Sequence, residues 1–448
     1  MILEASESAR ISLSRITMNE GQVYRTLYKG WTALGMRNQW LTLQILPQLG
    51  GRILQMTLDG YDFFFVNPAL EGFEPDESRL GENGSWLNFG GEKIWPAPQG
   101  WDSPDSWPGP PDPVFDSGVF EVLPPEEKSP NRLTLRSAVD PYTGLQLTKA
   151  IMLSENRSEV VVEATFANRS TTPRPWSIWP VLQLNTPDWQ AAGRYQVTSP
   201  MTPDRAENSG FRVLHGLVNN PQFGPDAHGN LVVNYQYLVG KVGLDSPANW
   251  VAFCDRQTGR VLVASATYQP GMPYPEGTSV QIWTQGRGQI YANHQVTDLP
   301  NDPQLTPPYL EMELLSPLKT MLPGAQLRFV YRMRACTVPA GAEVKTVNEF
   351  GVVTEFLKAV LLGETIQVTG QFGVFAQGEV SLQFMNEQGQ RVHPLSGMAS
   401  WLVDPRTAFC LDFQLPINEL PAHSIAQVVL HFTEADNIFS GDLSHSDL

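Results

Sequence analysis

Apolar and polar residues alternate along much of this chain. Leu41, Leu43 and Ile45 are separated by Thr42 and Gln44, and Leu133 and Leu135 by Thr134. Val280 and Ile282 flank Gln281, while Leu327, Phe329 and Tyr331 alternate with Arg328, Val330 and Arg332. Successive side chains leave a strand on opposite sides, so a period of two marks strands with one buried face. The chain holds 37 Gly and 37 Pro, and this density of turn residues does not suit a bundle of long helices. Regular strand–helix alternation is missing as well, so a parallel α/β sheet is not expected. The pattern predicts an all-β protein built as a large antiparallel β-sandwich.

The pattern changes near residue 340. Eleven of the 12 Trp lie at or before Trp283, and only Trp401 lies beyond it. The stretch Val338–Ala342 reads as a linker. After it, Val344, Val347, Phe350 and Leu357 fall near helical spacing, which predicts a short helix weakened by Gly351. Runs at Ile366–Thr369, Glu379–Phe384 and Gln427–Phe432 read as strands. The expected organisation is an N-terminal extension over residues 1–20 and the large sandwich over 21–337. A smaller β-rich C-terminal domain over 343–440 and a polar tail over 441–448 follow. No internal repeat is visible.

Charge and cysteine content narrow the function classes. The formal charge of −16 argues against a nucleic-acid partner, which needs clustered Lys and Arg. No apolar run approaches the ~18 residues of a membrane-spanning helix, so no membrane partner is expected. The first twenty residues lack the basic start and apolar core of a secretory leader. Cys254, Cys336 and Cys410 are far apart and form no metal-spaced cluster. They are expected to be three buried thiols in a reducing, cytoplasmic setting, with no metal and no cofactor.

Two segments carry candidate chemistry. The first, Trp86–Pro113, holds four Trp and seven Pro in 28 residues. A loop this stiff and aromatic offers flat faces and N–H donors suited to a sugar, or it covers a sandwich end and packs its own rings. Within it, Gly90-Gly91 permits positive φ or close backbone approach. Lys93 and Trp95 share one face by alternation, and Asn88 and Gln99 flank them. Lys93 with Glu92 could equally be a surface ion pair. The second segment is Pro308–Pro317, in which Tyr309, Glu311 and Glu313 share one strand face, the carboxylates about 7 Å apart along the chain. They are either a proton-transfer pair or the wet side of an amphipathic strand. Lys241, Gln281 and Trp283 lie on neighbouring strand patterns and are further candidates for a pocket.

Four stretches together resemble the galactose-mutarotase-like β-supersandwich, the superfamily of aldose 1-epimerases and hexose-phosphate mutarotases. Leu46–Ile53 with Leu58-Asp59-Gly60 is similar to its opening strand pair and Gly-Gly-Arg turn, which contains Arg52. Asn88–Pro96 resembles the glycine pair and proline that line the sugar site. Gly144–Leu153 and Glu159–Ser170 are similar to the long central hairpin. Tyr309-Leu310-Glu311, with Leu322-Pro323-Gly324 downstream, resembles the strand bearing the epimerase's base. The likeness covers roughly residues 30–335 and is nearest to a branch without an assigned function. It implies Glu311 as base, with Glu313 a close second. The family's acid histidine has no counterpart: Trp179, in Trp176–Leu182, stands near its position. His294, His215 or Lys93 are candidates to replace it.

The resulting expectation is a carbohydrate-binding protein. Its catalytic form is a sugar epimerase or mutarotase with Glu311 and Glu313 as catalytic residues. Arg52, Asn88, Lys93, Trp95, Gln99, Lys241 and Trp283 are expected to bind the substrate. The alternatives are a non-catalytic sugar-binding protein and a structural or assembly protein. The sequence leaves the sugar and the oligomeric state open.

Overall fold

The computed structural model describes residues 23–75, 86–125, 131–202, 210–386, 390–392, 399–419, 425–434 and 437–447. The expected N-terminal extension over 1–20 lies outside the described residues.

The described chain is built from antiparallel strands, and its helical turns are short 3₁₀ segments such as Pro68–Leu70. A 12-stranded sheet runs from the Val23–Tyr28 strand through Arg52–Leu58, Glu92–Ala97, Arg174–Asn185, Tyr309–Leu314, Val280–Thr284 and Gly240–Leu244 to Arg212–Gly216. A 10-stranded sheet packs on it, with Gln326–Thr337, Glu159–Asn168, Leu145–Leu153 and Arg132–Val139 side by side. The core lies between them. Ile45, Met56, Ile94, Leu182 and Met312 from the first sheet meet Leu135, Ile151, Val162, Phe166 and Met333 from the second. The alternating runs in the sequence supply these inward rows.

A charged group is also sealed between the sheets. Lys149 Nζ lies 2.6 Å from Glu92 Oε2 and donates to Gly51 O at 3.0 Å. The Tyr331 hydroxyl donates to Glu92 Oε1. Burial lowers the Lys149 pKa, with Glu92 opposing that shift. Glu92 therefore points inward, and its chain neighbour Lys93 points to the opposite, outer face of the first sheet.

Beyond residue 344 the chain forms a four-stranded and a five-stranded sheet with their own apolar core, including Val368, Phe372, Leu382 and Val428. This unit joins the sandwich through a shared cluster of Trp250, Cys254, Cys336, Val338, Val352 and Phe375. The predicted helix near 344–357 is instead two strands, Thr346–Val347 and Gly351–Leu362. Register shifts between Val353 and Lys358 break the two-residue alternation, and the resulting spacing of apolar positions imitates a helix. The segment read as a polar tail also differs: Asn437–Asp447 pairs along Ile425–Glu434, because an open strand edge can be satisfied by backbone alone. Of the three thiols, Cys254 and Cys336 are buried, whereas Cys410 is exposed. Cys410 sits on the outward side of the Phe409–Pro416 strand, where alternation leaves it in solvent.

Candidate functional site

Five neighbouring strands bring the candidate residues together on the outer face of the first sheet. Glu313 stands opposite Val181, and Glu311 opposite Gln183. On the other side of Arg174–Asn185, Lys93 pairs with Val181 and Trp95 with Trp179. Across Tyr309–Leu314, Trp283 pairs with Glu311 and Gln281 with Glu313, and Lys241 follows opposite Trp283. Lys93 and Trp95, Gln281 and Trp283, and Glu311 and Glu313 reach this face together because each pair is two positions apart on one strand. Tyr309, Glu311 and Glu313 are buried, as are Leu310, Met312 and Leu314. The strand is therefore not an amphipathic one with a wet carboxylate side.

Each carboxylate has its own cation and its own neutral donor. Gln183 Nε2 donates to Glu311 Oε1 at 2.7 Å, and Lys93 Nζ lies 3.6 Å from the same oxygen. Trp179 Nε1 donates to Glu313 Oε2 at 2.7 Å, and Lys241 Nζ lies 3.0 Å from it. Lys93 also sits 4.4 Å from the centre of the Trp95 ring and 5.1 Å from that of Trp86. Lys241 lies 4.5 Å from the Trp179 ring centre. A cation over an aromatic face is held by the ring quadrupole.

The patch is largely withdrawn from water, although the side chains of Glu311 and Lys241 keep 10% and 14% of their surface exposed. Burial pushes the Lys93 amine down to about 8, against the opposing pull of Glu311. Burial raises the Glu313 carboxyl to about 7, with Lys241 opposing and Glu311 adding to the rise. Four buried polar atoms here have no hydrogen-bond partner among the described residues: Lys93 Nζ, Trp95 Nε1, Gln183 Oε1 and Glu313 Oε1. Leaving such an atom unpaired costs about 1–3 kcal/mol.

Two segments border the face. In the Pro-rich loop, Trp107 is fully buried, donates to Asp112 and packs on Trp95 with ring centres 5.2 Å apart. Trp86 donates to Asp116, and Trp101 to Pro108 O. Much of this loop's aromatic surface thus packs on itself. On the far side, the hairpin of Gly288–Ala292 and Gln295–Leu299 begins beside His215, whose Nε2 is 3.0 Å from Gln289 O. Its tip reaches the loop, with His294 Nε2 at 3.2 Å from Asp102 Oδ1 and Tyr291 edge-on to Trp101. The hairpin bridges the two sides of the face.

The remaining candidates occupy supporting positions. Arg52 is fully buried and donates to Leu49 O, Gly90 O and Asp116 O. It clamps the turn that leads into the Lys93 strand. Asn88 Oδ1 accepts from Gly90 N–H at 3.3 Å, bracing the same turn. Gly90 has φ 91°, and a Cβ there would stand 1.9 Å from Phe65 O. Gln99 is exposed and lies over Gly109 in the loop. His215 packs on Trp283 with ring centres 5.4 Å apart and ring planes tilted by 33°. His294 contacts the loop and not the carboxylates. Gln183 was not among the sequence candidates. Its place two residues beyond Val181, on the alternation that carries Trp179, is the signal that could have found it. Among the described residues, no group of three or more His, Cys, Asp or Glu is placed to hold a metal ion, and no helix is long and apolar enough to cross a membrane.

Fold and site together define an all-β protein of two stacked antiparallel sheets with a covered patch of Lys, Glu and Trp on the outer side of the larger one. The chain belongs to the family described as Domain of unknown function (DUF4380), which it matches over residues 32–333. No curated protein matches it. Among solved structures it is similar to a galactose mutarotase-like protein from Lactobacillus casei, at 13% identity over 68% of this chain and 99% of that one, with a TM-score of 0.41. It is also similar to a galactose mutarotase-like protein from Clostridium acetobutylicum, at 9% identity over 70% and 98% of the two chains, with a TM-score of 0.44. A galactose mutarotase related enzyme from Lactobacillus acidophilus aligns at 12% identity over 67% and 95%, with a TM-score of 0.38.

Proposed function

We propose that the outer face of the larger sheet binds a carbohydrate. The observation that carries this reading is that two donors without a hydrogen-bond partner among the described residues, Lys93 Nζ and Trp95 Nε1, share one sheet face with two acceptors without one, Gln183 Oε1 and Glu313 Oε1. A sugar hydroxyl both donates and accepts, so neighbouring hydroxyls satisfy such a mixed set where a purely apolar ligand does not. The rings of Trp95, Trp179 and Trp283 add flat apolar surface for C–H faces. Each lysine is already held by a glutamate, Lys93 by Glu311 and Lys241 by Glu313, which favours a neutral ligand over an anionic one.

The finer reading is anomer exchange of an aldose with Glu311 as base, supported by the motif likeness around Tyr309-Leu310-Glu311. Trp179 at the place of the family's acid histidine favours the alternative, a sugar-binding protein without catalysis. Tryptophan fluorescence titration with a panel of mono- and oligosaccharides tests the binding reading. A saturable change with at least one sugar, lost in Lys93→Ala and weakened in Glu311→Gln, is expected. No response to any sugar, or unchanged affinity in both variants, would remove this face as the binding site.

A further inference from the structure

We propose that Glu313 is the proton donor of this site, giving a proton from Oε1 to the ring oxygen of a bound aldose while Glu311 takes the proton of the anomeric hydroxyl. The proposal rests on the carbohydrate reading above and assigns the acid that this reading lacks. The C1–O5 bond breaks as the C1=O1 double bond forms, so one proton enters the sugar and one leaves. After rotation about C1–C2, Glu313 takes its proton back from O5 and Glu311 returns one to O1. No oxidant, reductant or cofactor enters the balance.

The two oxygens of Glu313 differ in their surroundings. Oε2 receives the Trp179 N–H at 2.7 Å and lies 3.0 Å from the Lys241 ammonium. An oxygen facing two donors stays an acceptor. The proton of the neutral acid must therefore sit on Oε1, which is buried and has no partner among the described residues. That oxygen is on the face shared with Lys93, Trp95 and Gln183. Glu311 lies two residues away on the same side, about 7 Å along the strand. Two side chains at that separation can reach O1 and O5 of one ring. Trp179 cannot donate a proton to a sugar, but its N–H holds Glu313 in place; it is a positioning residue. Burial keeps the Glu313 carboxyl near 7, so a protonated fraction exists at neutral pH. The charged groups that face it are Lys241 from Gly240–Leu244, Lys93 from Glu92–Ala97 and Glu311 on its own strand.

The test is anomer exchange of glucose and galactose by NMR exchange spectroscopy on the full chain, with tryptophan fluorescence reporting binding. Glu313→Gln is expected to lower exchange about 10²- to 10⁴-fold, while the sugar-induced fluorescence change persists. In the unsubstituted protein, exchange falls as pH rises through about 7, where Glu313 loses its proton. Lys241→Met removes the cation that opposes the rise, so this limb is expected to move to higher pH, and a fixed limb overturns the proposal even where Glu313→Gln fails to fold. Glu313→Gln exchanging within threefold of the unsubstituted protein overturns the acid assignment and leaves the carbohydrate reading standing. Sugar binding without any exchange does the same. No binding of any sugar overturns both.

Discussion

Replacing Lys149 by Met should destabilise the sandwich severely, and the reason lies between the two sheets. Lys149 Nζ and Glu92 Oε2 are 2.6 Å apart, and neither side chain is more than 1% exposed. Removing the ammonium leaves the Glu92 carboxylate with the Tyr331 hydroxyl and a long contact of 3.4 Å from Ile53 N–H. Breaking a buried pair by deleting one partner costs about 3–5 kcal/mol, because the surviving charge stays desolvated. Against a typical total of about 5–15 kcal/mol, this is a large fraction of the stability. Urea unfolding followed by tryptophan emission is the appropriate assay, since 11 of the 12 Trp precede residue 340 and report on the sandwich. With an m-value of about 3 kcal/mol/M, the midpoint should fall by about 1 M or more. The double variant Lys149→Met, Glu92→Gln removes the stranded charge and should recover part of the loss. A loss under 1 kcal/mol, or a double variant no better than the single one, would refute this account.

Three further outcomes can be checked. The Lys93 amine sits at about 8 in the folded chain against 10.5 for an ordinary lysine, so the unfolded chain binds more protons between those values. Stability should therefore rise from pH 8 to 10.5 by up to about 3 kcal/mol, and chemical denaturation of Lys93→Met should lack that rise. Gly90→Ala would drive a Cβ to 1.9 Å from Phe65 O at a φ of 91°, so the variant should lose several kcal/mol in thermal or urea unfolding; a melting point unchanged within 2 °C would contradict that packing. Cys410 should react with a thiol reagent in the native protein, while Cys254, buried and pushed up to about 12, and Cys336 should react only on unfolding; three thiols titrating at one rate would count against it.

Much of this architecture is readable in the order of residues. Alternation at Leu41–Ile45, Leu133–Leu135, Val280–Ile282 and Leu327–Tyr331 identifies real strands, because the two-residue period is a local property of backbone geometry. The same rule puts Tyr309, Glu311 and Glu313 on one side, and Lys93 with Trp95. It fails where bulges interrupt it, as between Val353 and Lys358, where a strand imitates a helix.

Partnership was beyond local pattern. Gln183 meets Glu311 across 128 residues, Trp179 meets Glu313 across 134, and Lys149 meets Glu92 across 57. Such meetings depend on which strands adjoin and in what register, and one step of slip would turn every one of these side chains to the other face. Tertiary packing also redirected Arg52, expected beside a sugar, to three backbone carbonyls. Alternation along each strand selected the residues that could share a face. The long-range pairing of five strands, and the burial that comes with it, made two of those carboxylates chemically unlike an ordinary pair on a wet strand.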